Sequence, residues 1–266
     1  MLTTIVLITG ANTGIGFQVV RALSSSSKAY HILVGARSPA KADDAIKAIK
    51  EEFPDSSSTL EPVIVDIEQD DSIQYVFKQV SSTHGRLDIL INNAGAQLDP
   101  LFSRGQIATE RELWDKSWSV NTTSTQVMTS TFAPLLLKSP DPRLLFITSG
   151  TSTLAGTDNL ALSVNRHPTP GWPKPSFIGV PAYRSAKTGL NMLMREWHRI
   201  LKEDGVKVFA ISPGFLATGL GGDRERSKQL GARDPTVAGP FIRSVVEGER
   251  DEDAGKILTK DGFQAW

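Results

Sequence analysis

Short apolar segments alternate with longer amphipathic segments along almost the whole chain. The apolar segments, which have the length of β-strands, cover residues 4–8, 31–35, 62–65, 87–91, 143–148, 206–211 and 256–259. Segments with helical spacing separate them, among them residues 39–52, 70–82 and 110–137. Such alternation is typical of βαβ units, and wholly apolar strands indicate that helices cover both faces. The pattern predicts an α/β fold, a doubly wound parallel sheet of about seven strands with helices on both faces.

The length of the chain fits one large α/β domain, because 266 residues without a recognisable linker can build a single core. We therefore expect residues 1–266 to form one domain. Its least regular part is a Pro-rich insertion at about residues 150–181, in which Trp172, Phe177 and Ile178 indicate that part of the segment packs. A second loop-rich segment, at about residues 214–240, is expected to contact the substrate.

Composition argues against several classes of function. The 29 basic residues balance 29 acidic ones, which gives no electrostatic basis for binding nucleic acid or an anionic membrane. There is no cysteine, and the four histidines show no metal-ligand spacing, so no metal site is expected. No apolar run has the length of a membrane span, and the apolar start lacks a basic leader, so it is expected to be a strand. These features predict a cytoplasmic protein.

A glycine-rich turn follows the first predicted strand and precedes a predicted helix. Gly10, Gly14 and Gly16 there would allow a tight turn and the close approach of a pyrophosphate to the helix N-terminus. The second strand ends at Arg37 and Ser38 and carries no acidic residue, and an Arg at this place suits a ribose 2′-phosphate. The glycine-rich turn thus predicts a dinucleotide site, and Arg37 favours NADP(H) as its ligand. Arg37 could also be an ordinary surface cation.

Tyr183 and Lys187 are four residues apart in a predicted helix, so they lie on the same face, one turn from each other. A phenol has an ordinary pKa of about 10, and a nearby ammonium favours the phenolate. The pair could therefore exchange protons with a substrate near neutral pH. The alternative is an exposed helix face without a chemical role.

Together these features resemble the short-chain dehydrogenase/reductase family, in its compact single-domain, Rossmann-type branch. Residues 9–16 resemble the family's Thr-Gly-x-x-x-Gly-x-Gly motif, and residues 92–95 match its Asn-Asn-Ala-Gly motif. The resemblance implies four catalytic residues, Asn121, Ser149, Tyr183 and Lys187. It also implies a cofactor site formed by Gly10, Asn12, Thr13, Gly14, Ile15, Gly16, Arg37, Ser38, Asp66, Ile67, Asn93, Ala94, Gly95, Tyr183, Lys187, Pro213, Gly214, Phe215 and Thr218.

The family assigns roles to several of these positions. Asp66 would hold the adenine amino group, residues 93–95 would contact the adenosine ribose, and Asn121 would anchor a proton-relay water. Pro213, Gly214 and Thr218 would belong to the loop that closes on the nicotinamide. Each residue has a structural alternative, such as helix capping or turn formation, and Ser152 is a nearby rival of Ser149.

The insertion before Tyr183 resembles that of carbonyl-reductase-like members of the family. Some of those are monomers, because the insertion covers the helix face on which other members pair. We therefore slightly favour a monomer over a homodimer, while the same residues could instead form a lid over the substrate.

The function expected from the resemblance is the NADPH-dependent reduction of a ketone or aldehyde, with Tyr183 as the proton donor. The small-molecule carbonyl substrate would be mostly apolar, because the two loop-rich segments contain Trp172, Phe177, Phe215, Leu216 and Leu220. These side chains could equally belong to the core. The alternatives are NADP-dependent oxidation of a secondary alcohol and a catalytically silent dinucleotide sensor or scaffold. A hydrolase is disfavoured, because no Gly-x-Ser-x-Gly elbow surrounds Ser149.

Overall fold

An eight-stranded sheet runs through the computed structural model, which describes residues 3–174 and 179–266. The strand order is β3-β2-β1-β4-β5-β6-β7-β8, parallel from β3 to β7, with β8 added antiparallel to β7. The strands are β1 (Thr4–Ile8), β2 (Tyr30–Ala36), β3 (Thr59–Ile64), β4 (Ile89–Asn92), β5 (Arg143–Ile147), β6 (Lys207–Ile211), β7 (Ile257–Thr259) and β8 (Gly262–Phe263). The predicted α/β fold is confirmed. The extra strand, β8, is too short to leave an apolar pattern in the sequence.

Helices cover both faces of this sheet. They are α1 (Gly14–Ser24), α2 (Pro39–Glu52), α3 (Asp70–His84), α4 (Asp99–Ser103), α5 (Glu110–Trp118), α6 (Ser124–Leu136), α7 (Pro181–Leu201), α8 (Arg224–Gln229) and α9 (Ala238–Val246). Side chains of α1, α2 and α9 pack in one core, and those of α3, α6 and α7 pack in the other. The strands are apolar at successive positions because each face of the sheet meets its own layer of helices.

The first strand shows how one segment serves both cores. Ile5 and Leu7 point into the core with α3, α6 and α7, whereas Val6 and Ile8 point into the core with α1, α2 and α9. All four side chains are buried. The alternation follows from the two-residue repeat of a β-strand, in which successive side chains leave opposite faces of the sheet.

The long helix predicted over residues 110–137 is interrupted. Helix α5 ends at Trp118, a wider π-helical turn covers Ser119–Thr123, and α6 then runs from Ser124. Asn121 lies in this turn, and its side-chain amide bonds outside the helix to the backbone of Ala96. Such single-turn insertions are frequent at functional sites. The sequence showed only a polar stretch at this point.

Two other expectations need correction. Strand β3 begins at Thr59, not at residue 62, because Thr59 pairs with His31 of β2 although this end of the strand is polar.

In the insertion, residues 150–174 form three short 3-10 turns and irregular chain. Trp172 is 88% exposed, so the expectation that it packs is wrong. Phe177 and Ile178 lie outside the described residues. Within residues 3–174 and 179–266, no helix is long and apolar enough to cross a membrane.

Candidate active site

A cleft of about 580 Å³ opens along the carboxyl ends of the strands. Parallel strands place these ends at one edge of the sheet, so residues distant in sequence meet there. The predicted site residues that line the cleft are Gly10, Asn12, Thr13, Gly14, Ile15, Arg37, Asp66, Ile67, Asn93, Ala94, Gly95, Asn121, Tyr183, Lys187 and Thr218. The structure thus brings predicted cofactor residues and three of the four predicted catalytic residues to one cavity.

The remaining predicted residues lie outside the cleft lining. Gly16 is packed inside the glycine-rich turn, where an added Cβ would lie 2.5 Å from the side-chain nitrogen of Asn93. Ser38 is the residue before α2. Pro213, Gly214 and Phe215 precede the part of their loop that lines the cleft, and the Phe215 carbonyl accepts a hydrogen bond from the Arg233 N–H at 3.0 Å. Gly16 therefore has a packing role in this arrangement.

The glycine-rich turn between β1 and α1 requires glycine at two points. Gly10 has φ of +62° and Gly14 has φ of +56°, a left-handed conformation that side chains disfavour. At Gly10, an added Cβ would also lie 3.1 Å from the Cα of Ala94. The turn leaves the N-terminus of α1, which begins at Gly14, facing the cleft. Unpaired N–H groups at such a terminus attract phosphate.

Side-chain hydrogen bonds connect the ends of β1 and β4. The amide nitrogen of Asn93 donates to the carbonyls of Thr9 at 2.8 Å and Gly10 at 3.0 Å. In return the Thr9 hydroxyl accepts from the backbone N–H groups of Asn93 and Ala94, each at 3.0 Å. These four bonds fix the glycine-rich turn against the Asn-Asn-Ala-Gly segment. Asn93 therefore holds these two segments of the cleft together.

Arg37 and Asp66 follow β2 and β3 at the far end of the cleft. Arg37 is exposed, and its guanidinium makes no hydrogen bond or ion pair with any described residue. Asp66 accepts a hydrogen bond from the Glu68 N–H at 3.1 Å through one carboxylate oxygen. A single cation thus stands at the position where the sequence predicts a ribose phosphate.

Asn121 is completely buried within the π-helical turn. Its amide nitrogen donates to the carbonyls of Ala96 at 2.8 Å and Ser117 at 2.9 Å, and its amide oxygen accepts from the Ala96 N–H at 3.2 Å. Thus the side chain holds the backbone segment that follows Gly95. A Cβ at Gly95 would lie 2.7 Å from the Asn121 oxygen and 3.3 Å from Lys187 Nζ, so a side chain there would collide with the Asn121 amide and crowd the Lys187 ammonium.

Lys187 places a charge below the surface of the cleft. Only 4% of the residue is exposed, and its Nζ donates to the Ile147 carbonyl at the end of β5 at 2.9 Å. Burial disfavours the charged form and lowers the pKa of the Lys187 ammonium to about 8. With one N–H held by the sheet, the ammonium keeps two donors for other acceptors.

Burial controls the phenol of Tyr183 as well. It raises the pKa of Tyr183 to about 12, and the charge of Asp99 acts in the same direction, whereas the Ser149 hydroxyl lowers it. The expected lowering by Lys187 is therefore wrong for this structure. The ammonium lies 5.9 Å from the ring centroid, and at this distance the loss of hydration dominates.

Ser149 and Ser152 differ in the hydrogen bonds of their hydroxyl groups. Ser152 is buried, and its hydroxyl donates to the Ser149 carbonyl at 2.6 Å and accepts from Asn191 at 2.9 Å. The Ser149 hydroxyl is partly buried. Among the described residues it contacts only Tyr183 and Thr151. Ser149 therefore has the accessible hydroxyl, while Ser152 belongs to the scaffold.

Sequence reasoning missed Asp99, which holds the start of the helix that carries Tyr183. Helix α7 has no capping side chain of its own at Val180. Instead, the buried carboxylate of Asp99 accepts from the N–H groups of Ala182 at 3.0 Å and Tyr183 at 3.2 Å. Burial raises the pKa of Asp99 although both bonds oppose this. The Asp99-Pro100 pair signals a helix start, but nothing local shows that it caps a second helix.

Comparison with known proteins gives consistent matches. A family model described as short chain dehydrogenase matches residues 4–161 and 174–229. The short-chain dehydrogenase/reductase eupG of a Phoma species is 48% identical over 98% of this chain and 97% of its own. The short-chain dehydrogenase/reductase tropE of Talaromyces stipitatus is 44% identical over 97% and 95%. The solved structure of NADPH-bound carbonyl reductase from chicken fatty liver has the same fold, with a TM-score of 0.77, 21% identity and complete coverage of both chains.

Replacing Asp99 should loosen the start of α7. In Asp99→Ala two buried N–H groups lose their acceptor, so we expect the free energy of unfolding to fall by about 1–3 kcal/mol. Asp99→Asn keeps an acceptor oxygen and should lose less. A carboxyl with a raised folded-state pKa stabilises the fold when protonated, and this contribution is lost as pH rises above 3.8. The side-chain amide of Asp99→Asn does not ionise, so this variant should gain stability relative to wild type from acid to neutral pH.

Urea unfolding at acid and at neutral pH measures these differences. Asp43→Ala, which removes an exposed carboxylate from α2, is the matched control and should change stability little. Equal stability of Asp99→Ala and Asp43→Ala would show that the Asp99 carboxylate does not cap α7.

Proposed function

Because the chain belongs to the short-chain dehydrogenase/reductase family of oxidoreductases, we propose that it uses NADPH to reduce a ketone or aldehyde. One observation carries this proposal: the glycine-rich turn and the group of Tyr183, Lys187 and Asn121 line the same cleft. A dinucleotide that has its pyrophosphate at the turn would extend its nicotinamide toward the proton-donating group. The family's NAD(P)-dependent chemistry needs this juxtaposition.

The residues present fit a dinucleotide. The cleft volume of about 580 Å³ lies within the range of about 300–1,000 Å³ common for ligand and cofactor sites. The positive φ angles of Gly10 and Gly14 keep side chains away from the turn, and the N-terminus of α1 offers its unpaired N–H groups. Arg37, at the end of β2, supports the choice of NADPH because no acidic residue stands there.

The chain's own residues would manage the proton and the charge. When bound, NADPH would supply the hydride for the carbonyl carbon, and the chain would have to stabilise the negative charge that develops on the carbonyl oxygen. The hydroxyl groups of Ser149 and Tyr183 would donate hydrogen bonds to this oxygen, and Tyr183 would then transfer its proton. Lys187 would bind the nicotinamide ribose. Asn121 would hold the water that returns a proton to Tyr183.

The protonation state of Tyr183 supports its role as the proton donor in reduction. With a pKa of about 12, the phenol is protonated at neutral pH and is ready to give a proton to a strongly basic alkoxide oxygen. Oxidation of an alcohol would need the phenolate as a base, which is a rare form of this group at neutral pH. Reduction therefore uses the form of Tyr183 that burial favours.

The surroundings of the cleft support a mostly apolar substrate. Leu220 lines the cleft and is 43% exposed, and Phe215, in the same loop, is 55% exposed. Apolar side chains that stay exposed around a cavity are available for contact with a ligand.

A monomeric state remains our slight preference over a homodimer. The guanidinium of Arg184 in α7 donates to the carbonyls of Thr151 and Val164 and to the side chain of Asn165. These contacts place part of the insertion on the first turn of α7 and support its role as a cover of that helix. A cytoplasmic location without nucleic-acid or membrane partners stays a prediction from composition.

Tyr183→Phe tests the proton donor. The change removes one oxygen, so NADPH binding should persist, whereas turnover should fall by at least about 10²–10⁴-fold. The assay is NADPH oxidation, followed by absorbance, with a panel of ketones, quinones, steroids and diones.

The matched control is Tyr30→Phe. Tyr30 is also buried, but it belongs to the core with α1, α2 and α9, away from the cleft. Its phenol contacts Glu247 at 3.2 Å. Turnover in this variant should stay close to wild type. If Tyr183→Phe retains most of its activity, Tyr183 is not the proton donor, even though the family assignment would stand.

Arg37→Asp tests cofactor choice. A hydrogen bond to a charged group contributes about 1.5–3 kcal/mol, which corresponds to about ten- to a hundredfold in affinity. The wild type should therefore prefer NADPH over NADH by that factor in kcat/KM, and Arg37→Asp should abolish or reverse the preference. Lys41→Asp is the control, because it changes the charge equally on an exposed face of α2. Equal use of both cofactors by the wild type would contradict the role of Arg37.

A further inference from the structure

A second cluster of chemically reactive side chains lies at the opposite edge of the sheet from the cleft. It consists of His31 near the start of β2, Glu61 in β3 and His84, the last residue of α3. One ligand atom from each of them lies within 4.8 Å of the other two. His31 is six residues before Arg37 on β2, or about 20 Å at the usual strand rise. The proposed reduction does not use this cluster.

The fold holds these three side chains together. His31 pairs with Thr59 in the β2–β3 register, so Glu61, two residues further along β3, lies on the same face of the sheet as Thr59. Helix α3 packs on that face through Ile73, Val76 and Val80, and it ends at His84. The rings of His31 and His84 lie 4.7 Å apart. All three residues are partly buried, which limits the movement of their side chains.

One nitrogen in the cluster lacks a partner. His31 Nε2 hydrogen-bonds the Glu61 Oε2 at 2.7 Å. His84 Nε2 lies 3.4 Å from the same oxygen but forms no hydrogen bond with it or with any other described group, although this nitrogen is shielded from solvent. A buried polar atom without a partner is uncommon and destabilising, because it has lost its hydrogen bond to water.

We propose that His31, Glu61 and His84 form a binding site for a divalent transition metal of the Zn²⁺ class. Two imidazoles and one carboxylate are a known zinc ligand set, with a fourth position open to water. With bonds of about 2.0–2.1 Å, tetrahedral ligand atoms are about 3.3 Å apart. The distances in the cluster, 2.7 and 3.4 Å to the shared oxygen and at most 4.8 Å between the remaining atoms, lie around that value.

The surroundings of His31 allow the tautomer that a metal requires. Its Nδ1 lies 2.8 Å from the Thr59 hydroxyl, which can accept a hydrogen bond from a protonated Nδ1. The Nε2 lone pair is then free for a metal, which would replace the proton shared with Glu61. Such partners of ligating histidines commonly fix the ring and strengthen the ligand. The metal would also give His84 Nε2 the partner that it lacks.

Isothermal titration of ZnCl₂ into tag-free, chelator-treated full-length protein tests the proposal, with MgCl₂ as the hard-cation control. One equivalent of Zn²⁺ should bind and raise the melting temperature, and Mg²⁺ should do neither. His84→Ala and the isosteric Glu61→Gln should each weaken Zn²⁺ binding by more than about 100-fold. Thr59→Val, which removes only the supporting hydroxyl, should weaken it by about 10–100-fold. Co²⁺ should give the visible absorption of a tetrahedral site in wild type alone.

His167→Ala is the matched control, since it removes an exposed imidazole from outside the cluster and should leave Zn²⁺ affinity unchanged. Circular dichroism in the presence of a chelator verifies that each variant is folded. If His84→Ala does not fold, Glu61→Gln still tests the site. Less than half an equivalent of bound Zn²⁺ would overturn the proposal and leave the cluster as a proton-bridged ion pair. Unchanged affinity in both His84→Ala and Glu61→Gln would overturn it as well.

Discussion

The parallel ladder is the constraint on which the rest of the structure depends. It aligns the carboxyl ends of β1, β2, β4 and β5 at one edge, where each strand releases its chain into a loop. The Thr9 and Asn93 side chains then join two of these loops by four hydrogen bonds. Without this connection the glycine-rich turn and the Asn-Asn-Ala-Gly segment would not be held in a fixed position relative to each other. The same edge receives the Lys187 ammonium through the Ile147 carbonyl.

Burial is the second physical factor, because it shifts the pKa values of the titratable side chains at this edge. It lowers the pKa of Lys187 to about 8 and raises that of Tyr183 to about 12. Both shifts favour the neutral form, as expected when charge is removed from water. A neutral phenol held beside the Ser149 hydroxyl suits donation to a basic oxygen. The position of the phenol in turn depends on Asp99, which anchors the first turn of α7.

Features carried by short local patterns could be predicted from the sequence, and features created by long-range contacts could not. The glycine-rich turn was predicted because a tight turn with positive φ needs glycine wherever the chain goes. The π-helical turn at Asn121 was missed because it depends on a bond to Ala96. The direction of the Tyr183 pKa shift was wrong because burial is a tertiary property. Likewise, the capping by Asp99 joins groups more than eighty residues apart in the chain.

Amide hydrogen exchange with and without NADPH tests directly, without knowledge of the substrate, whether the cleft at the carboxyl edge binds NADPH. We expect slower exchange in peptides that cover residues 10–16, 93–96 and 216–220, which approach or line the cleft. Peptides from the last two turns of α2, residues 45–52, and from the start of β2, remote from the cleft, should exchange at unchanged rates. Absence of protection at saturating NADPH, or protection confined to segments outside the cleft, would contradict NADPH binding in this cleft.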